Sequence, residues 1–116
     1  MIRNQLIYVA HPFGGDKANK YSIDTIMENL VMLDKNNTYL SPLHNFSMVY
    51  FDTQYSKGLK ICLDMLNKCD ALVLCGDWET SKGCIGEWSF AIAKGMPIYT
   101  WKEWTDKLKE QGDNSR

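Results

Sequence analysis

Glu87 is the residue of this chain best placed to do chemistry. It lies in the stretch Asp77–Pro97, DWETSKGCIGEWSFAIAKGMP, whose run between Lys82 and Lys94 reads as an apolar helix with Glu87 as its one charged residue. A lone carboxylate in such a helix is costly to bury without a partner. A strand-like run, Ala71–Cys75, and a Gly-containing loop precede the helix. That order puts Glu87 in the first turns, at the positive end of the helix dipole, where a carboxylate is held ionised. Open α/β sheets bind ligands at the loops that follow strand C-termini. An ionised, partly desolvated carboxylate at that edge has the chemistry of a nucleophile or of a sugar-hydroxyl ligand. An acid at a helix start also serves merely to complement the dipole, and the residue type alone leaves both readings open.

A second group follows the first apolar run. His11-Pro-Phe-Gly-Gly-Asp16 places paired glycines, Gly14 and Gly15, ahead of a helix. Paired glycines let backbone N–H groups face a ligand beside the helix's positive end, as in a phosphate or sugar cradle. The run is neither a Walker loop nor a G-x-G-x-x-G fingerprint, and Gly-Gly after a strand is also an ordinary turn. His11 and His44 both fall in loops at the same edge, where each suits a general acid or a phosphate ligand, or is simply a surface histidine. No third ligand stands at a recognisable spacing, so no metal is expected. Phe13 and Trp78 lie in loops beside that edge; they fit stacking on a flat base, and equally a place in the core.

The elements that must position these residues alternate strand and helix. Leu6–Ala10 is an apolar run of the kind that forms a buried parallel strand. A helix is expected over Lys17–Leu33, with Ile23, Ile26, Met27, Leu30 and Leu33 recurring at three and four, capped by Asp16 or Ser22. Thr38–Leu40 reads as a short strand. Ser41–Ser56 reads as a long loop carrying His44, Phe46, Tyr50, Phe51 and Tyr55, of a length usually kept for function. A helix near Tyr55–Asn67 follows, then the strand Ala71–Cys75, the helix Gly83–Lys94 with Gly95 as its C-cap, a strand at Pro97–Thr100 and a short helix at Trp101–Gln111. Residues Gly112–Arg116 are expected to fray. Four strands separated by helices, with right-handed crossovers, give a small flavodoxin-like or Rossmann-like parallel sheet of order 2-1-3-4 with helices on both faces. The loops Ala10–Asp16, Gly76–Gly83 and Ser41–Ser56 then converge on one cleft.

Composition narrows the rest. A chain of 116 residues suits one domain and one core. A net charge of -1 points to neither nucleic acid nor a membrane surface as a partner. No run reaches transmembrane length and Leu6–Ala10 is too short for a signal-peptide core, so a cytosolic protein is expected. Cys62, Cys69, Cys75 and Cys84 match neither a zinc ribbon nor C-x-x-C and read as buried free thiols. Cys75 and Cys84 flank the site loop, a spacing that leaves a mutual approach open. The helix Gly83–Lys94 is apolar nearly all round, so a homodimer or larger is expected, with Trp88 or Phe90 at the interface.

Tyr8-Val-Ala-His-Pro-Phe13 resembles the first-strand motif of the nucleoside 2-deoxyribosyltransferase superfamily. Ser81-Lys-Gly83-Cys-Ile-Gly-Glu87, followed by Ala91 and Gly95-Met-Pro97, resembles its nucleophile segment, and Lys68-Cys-Asp70-Ala-Leu-Val the strand leading to it. The likeness covers about residues 5–100 and is nearest to the short, phage- and prophage-type branch. It implies a catalytic Glu87 that attacks the anomeric carbon of a (deoxy)nucleoside or nucleotide and expels the base, with Tyr8 beside it and no cofactor. Ser81 stands where the family carries an acidic residue about two turns before the nucleophile, and Asp77 lies four residues further upstream. Gly83 and Gly86 would leave room for the sugar. Hydrolysis and transfer both remain open, as do two other readings: a catalytically silent nucleotide-binding module, sensor or sponge, and a structural phage accessory protein whose four tryptophans serve assembly.

Overall fold

The computed structural model describes residues 4–46 and 55–114. Four short strands, β1 (Leu6–Ala10), β2 (Thr38–Leu40), β3 (Ala71–Leu74) and β4 (Ile98–Thr100), form one parallel sheet in the order β2-β1-β3-β4. Its helices are α1 (Lys17–Leu33), α2 (Pro42–Asn45), α3 (Tyr55–Leu66), α4 (Lys82–Lys94) and α5 (Trp101–Asn114). A 3₁₀ turn, Trp78–Thr80, precedes α4. The expected sheet and its order are therefore found, with β1 and β3 adjacent at the centre in the register Ile7↔Ala71 to Ala10↔Leu74.

Alternation along the central strands makes two cores. Ile7, Val9, Ala71 and Val73 face α1 and α5, packing with Ile23, Met27, Leu30 and Trp104. Tyr8, Ala10, Leu72 and Leu74 face the opposite way, against Leu66 of α3 and Cys84 and Ala91 of α4. Covering both faces is what lets these strands be apolar at every position. Asp16 caps α1, its carboxylate accepting from the Ala18 N–H at 2.8 Å. Gly95 closes α4 in the left-handed region at φ 75°, where a side chain would be strained.

Several local expectations change. Leu33 is 76% exposed rather than inward. The buried stripe of α1 runs Ile23, Met27, Leu30, and the next position on that face is residue 34, not 33. Asp34 fills it and anchors a buried network. Its carboxylate accepts from the Tyr39 hydroxyl at 2.5 Å, the Asn37 side-chain amide at 2.9 Å and the Asn36 N–H at 2.9 Å. The Trp104 indole N–H donates to the Tyr39 oxygen at 3.0 Å, fastening α5 to the sheet. The last helix continues to Asn114, past the expected end at Gln111. The long loop Ser41–Ser56 opens with the helical turn α2 and closes with the start of α3; Tyr50 and Phe51 lie outside the described residues. All four cysteines are buried and free; Cys75 packs in the α1-side core and Cys84 in the α4-side core, with no disulfide between them. Among the described residues no helix is long and apolar enough to cross a membrane.

Candidate functional site

The site begins with the start of α4. Ser81 is in extended backbone, and its hydroxyl caps the helix by accepting from the Cys84 N–H at 3.3 Å. Lys82 is the first helical residue, so Glu87 is the sixth and sits in the second turn. The dipole's pull fades beyond the first turn. Burial governs this carboxyl instead. Glu87 is 5% exposed, and desolvation pushes it up to about 7 from the ordinary carboxyl range. The Tyr8 hydroxyl, fully buried on β1, donates to Glu87 Oε2 and pulls it partly back down. Burial thus works against the expected ionising pull of the helix start and favours the neutral carboxyl. Burial likewise pushes the neighbouring Cys84 thiol up to about 12, with the charge of Glu87 adding to it, so Cys84 is no competing nucleophile.

The rest of the site is distributed unevenly. Gly83 is open, the nearest atom to a Cβ there being Ser81 Oγ at 3.9 Å. Gly86 is not open to a ligand: Leu59 of α3 occupies that side at 3.5 Å from the position of a Cβ. Trp78 is half-buried on the α4-side core, with its ring 6.0 Å from that of Trp88 and tilted by 39°. Asp77 is exposed, and its carbonyl accepts from the Thr80 N–H and hydroxyl while its side chain caps nothing. Gly14 and Gly15 are both left-handed, at φ 55° and 79°, with open space where a Cβ would point. The positive end of α1 beyond them is already engaged by the Asp16 carboxylate.

Two candidates lie on the other side of the sheet. Phe13 is a core aromatic packed with the α1 cluster rather than a free stacking face. His44 is on α2, its Nδ1 2.6 Å from Asp24 Oδ1, which also accepts from Lys20 at 2.6 Å. His11 is 9% exposed; it opens the loop after β1, and its ring lies against Gly76 in the loop after β3. The structure therefore brings Tyr8, Glu87, Ser81, Gly83 and Trp78 to one side and leaves Phe13 and His44 on the other. Trp88 and Leu59 are contacts that sequence reasoning did not assign to the site. The one local signal was the position of Trp88 beside Glu87. Among the described residues no group of three His, Cys, Asp or Glu side chains is arranged to hold a metal ion.

A parallel sheet of order 2-1-3-4, with a buried carboxyl on the helix after β3 bonded to a tyrosine on β1, defines a small Rossmann-like α/β protein with its polar pair at the centre of the sheet. Residues 5–100 match the family described as a domain of unknown function (DUF4406), and the chain belongs to that family. No curated protein matches it. Among solved structures, a 2-desoxiribosyltransferase from Leishmania mexicana shares the fold, with a TM-score of 0.61 and 22% identity over 83% of this chain. The chain spans 63% of that protein's length, and the likeness is one of fold.

Proposed function

We propose that this protein cleaves or transfers the N-glycosidic bond of (deoxy)nucleosides or nucleotides, with Glu87 as nucleophile. The observation that carries the reading is the buried Glu87 carboxyl bonded to the Tyr8 hydroxyl at the centre of the sheet. The fold shared with a 2-desoxiribosyltransferase supports it. The ionised carboxylate attacks the anomeric carbon as the C–N bond breaks, and the base leaves with the bonding pair and takes up a proton. The glycosyl ester is then resolved by water or by a second base, with net retention. Tyr8 holds the carboxylate in line, Gly83 leaves space for the sugar at the start of α4, and Trp78, with Asp77 and Ser81 on the same segment, borders the base.

A catalytically silent nucleotide-binding module is the second reading, and the raised Glu87 carboxyl favours it specifically. In its neutral form that group donates a hydrogen bond but does not attack. Base release from a panel of deoxynucleosides and their 5′-monophosphates, followed by chromatography, separates the two. Wild type should release base, and Glu87→Gln should lower the rate on the order of 10³-fold or more. Release that survives Glu87→Gln removes Glu87 as nucleophile. Tight binding with no release by wild type selects the silent module.

A further inference from the structure

His11 has both ring nitrogens committed inside the protein. Nδ1 is 2.8 Å from the Pro12 carbonyl oxygen, which only accepts, so Nδ1 carries the hydrogen. In the neutral ring Nε2 then accepts from the Ser22 hydroxyl at 3.1 Å. The residue is 9% exposed, and both nitrogens are engaged by partners within the chain. The ring also meets Gly76: a Cβ there would stand 3.1 Å from Nε2 and 3.4 Å from Cε1, and 3.4 Å from Pro12 Cδ. Gly76 also has φ 62°, so the position refuses a side chain on two counts.

These contacts fall where the sheet changes direction. The chain passes from β1 to β2 on one side and returns to β3 on the other. β1 and β3 are joined up to the Cys75 N–H donating to the Ala10 carbonyl at 2.9 Å, and His11 and Gly76 are the next residue of each strand's exit. Ligands of such sheets bind in the crevice just beyond this point. The exit from Gly76 leads through Asp77 and Trp78 to Ser81, whose cap starts the helix carrying Glu87.

We propose that His11 is a positioning residue, a spacer locked by Pro12 and Ser22 that sets the separation between the 11–16 and 76–81 loops, the second of which leads into the helix carrying Glu87. The kinetic consequence rests on the glycosidic reading; the spacing itself does not. The full chain labelled with 5-fluorotryptophan gives four fluorine resonances, assigned by Trp→Phe variants. His11→Ala should move or broaden the Trp78 resonance and leave that of Trp104, on the opposite face, in place. His11→Gln, whose amide oxygen can accept from Ser22, should restore most of the wild-type Trp78 signal. Ser22→Ala should give a smaller shift of the same resonance and serves if His11→Ala does not fold. An unmoved Trp78, or equal movement at Trp104, would overturn the spacer role. In the base-release assay His11→Ala should raise KM about tenfold with the pH midpoint of kcat unchanged. A lowered kcat with a displaced pH midpoint would make His11 a proton donor and overturn the proposal. If wild type releases no base, the glycosidic reading fails while the fluorine spectra still decide the spacer.

Discussion

Burial raises the Glu87 carboxyl toward pH 7, whereas attack on an anomeric carbon needs it ionised, so stability and activity draw on one proton in opposite directions. The folded-state value, about 7, lies above the ordinary 4.5. The stabilising contribution of the neutral form is therefore complete below about pH 4.5 and is lost as pH rises through 7. Urea unfolding of wild type, referenced to Glu87→Gln, should accordingly show wild type losing on the order of 3 kcal/mol across that window. Parallel pH curves for the two proteins would mean that Glu87 titrates normally. Base release should climb over the same range, with its midpoint near 7. Tyr8→Phe removes the bond that draws the carboxyl down, so the midpoint of its pH–rate profile should move upward.

The element on which the site depends is α4. Ser81→Ala removes the bond to the Cys84 N–H and should cost about 1 kcal/mol in urea unfolding. Gly86 separates two accounts of the helix. Were it a sugar-facing gap, a methyl there would obstruct the ligand. Its Cβ position instead lies at ordinary contact distance, 3.5 Å, from Leu59 of α3. Gly86→Ala should therefore leave base release unchanged and raise stability by up to about 1 kcal/mol, since glycine weakens a helix interior. Loss of release at full stability would return Gly86 to the ligand side.

For the whole molecule, α4 does not bury all its apolar sides within one chain. Cys84, Glu87 and Ala91 face the core, Ile85, Trp88 and Phe90 are half-buried, and Ile92 is 51% exposed. No charged residue other than buried Glu87 lies between Lys82 and Lys94, so two copies of this face meet without like-charge repulsion. We propose that a second copy covers it. Light scattering at micromolar concentration should find a dimer or larger, and Ile92→Lys should yield a monomer. A monomeric wild type would contradict this. A dimer that persists in Ile92→Lys would shift attention to Val31, Met32 and Leu33, exposed at the end of α1.

Patterns confined to a turn or a strand were legible before any coordinates. The apolar runs Leu6–Ala10 and Ala71–Leu74, the helix repeats, the Asp16 and Gly95 caps and, through right-handed crossovers, the strand order all depend on residues near one another in the chain. Glu87 stood out for the same reason, as a single acid in an apolar helix. Its depth did not: the Tyr8 hydroxyl reaches it from 79 residues away, and the sheet decides that the two side chains share a face. The same packing sends Phe13 into the core, gives His44 to Asp24, closes Leu59 over Gly86 and wedges His11 against Gly76. Periodicity marks which side of an element is apolar. Which neighbour covers that side, and how completely it removes water from a carboxyl, is decided only when the layers meet.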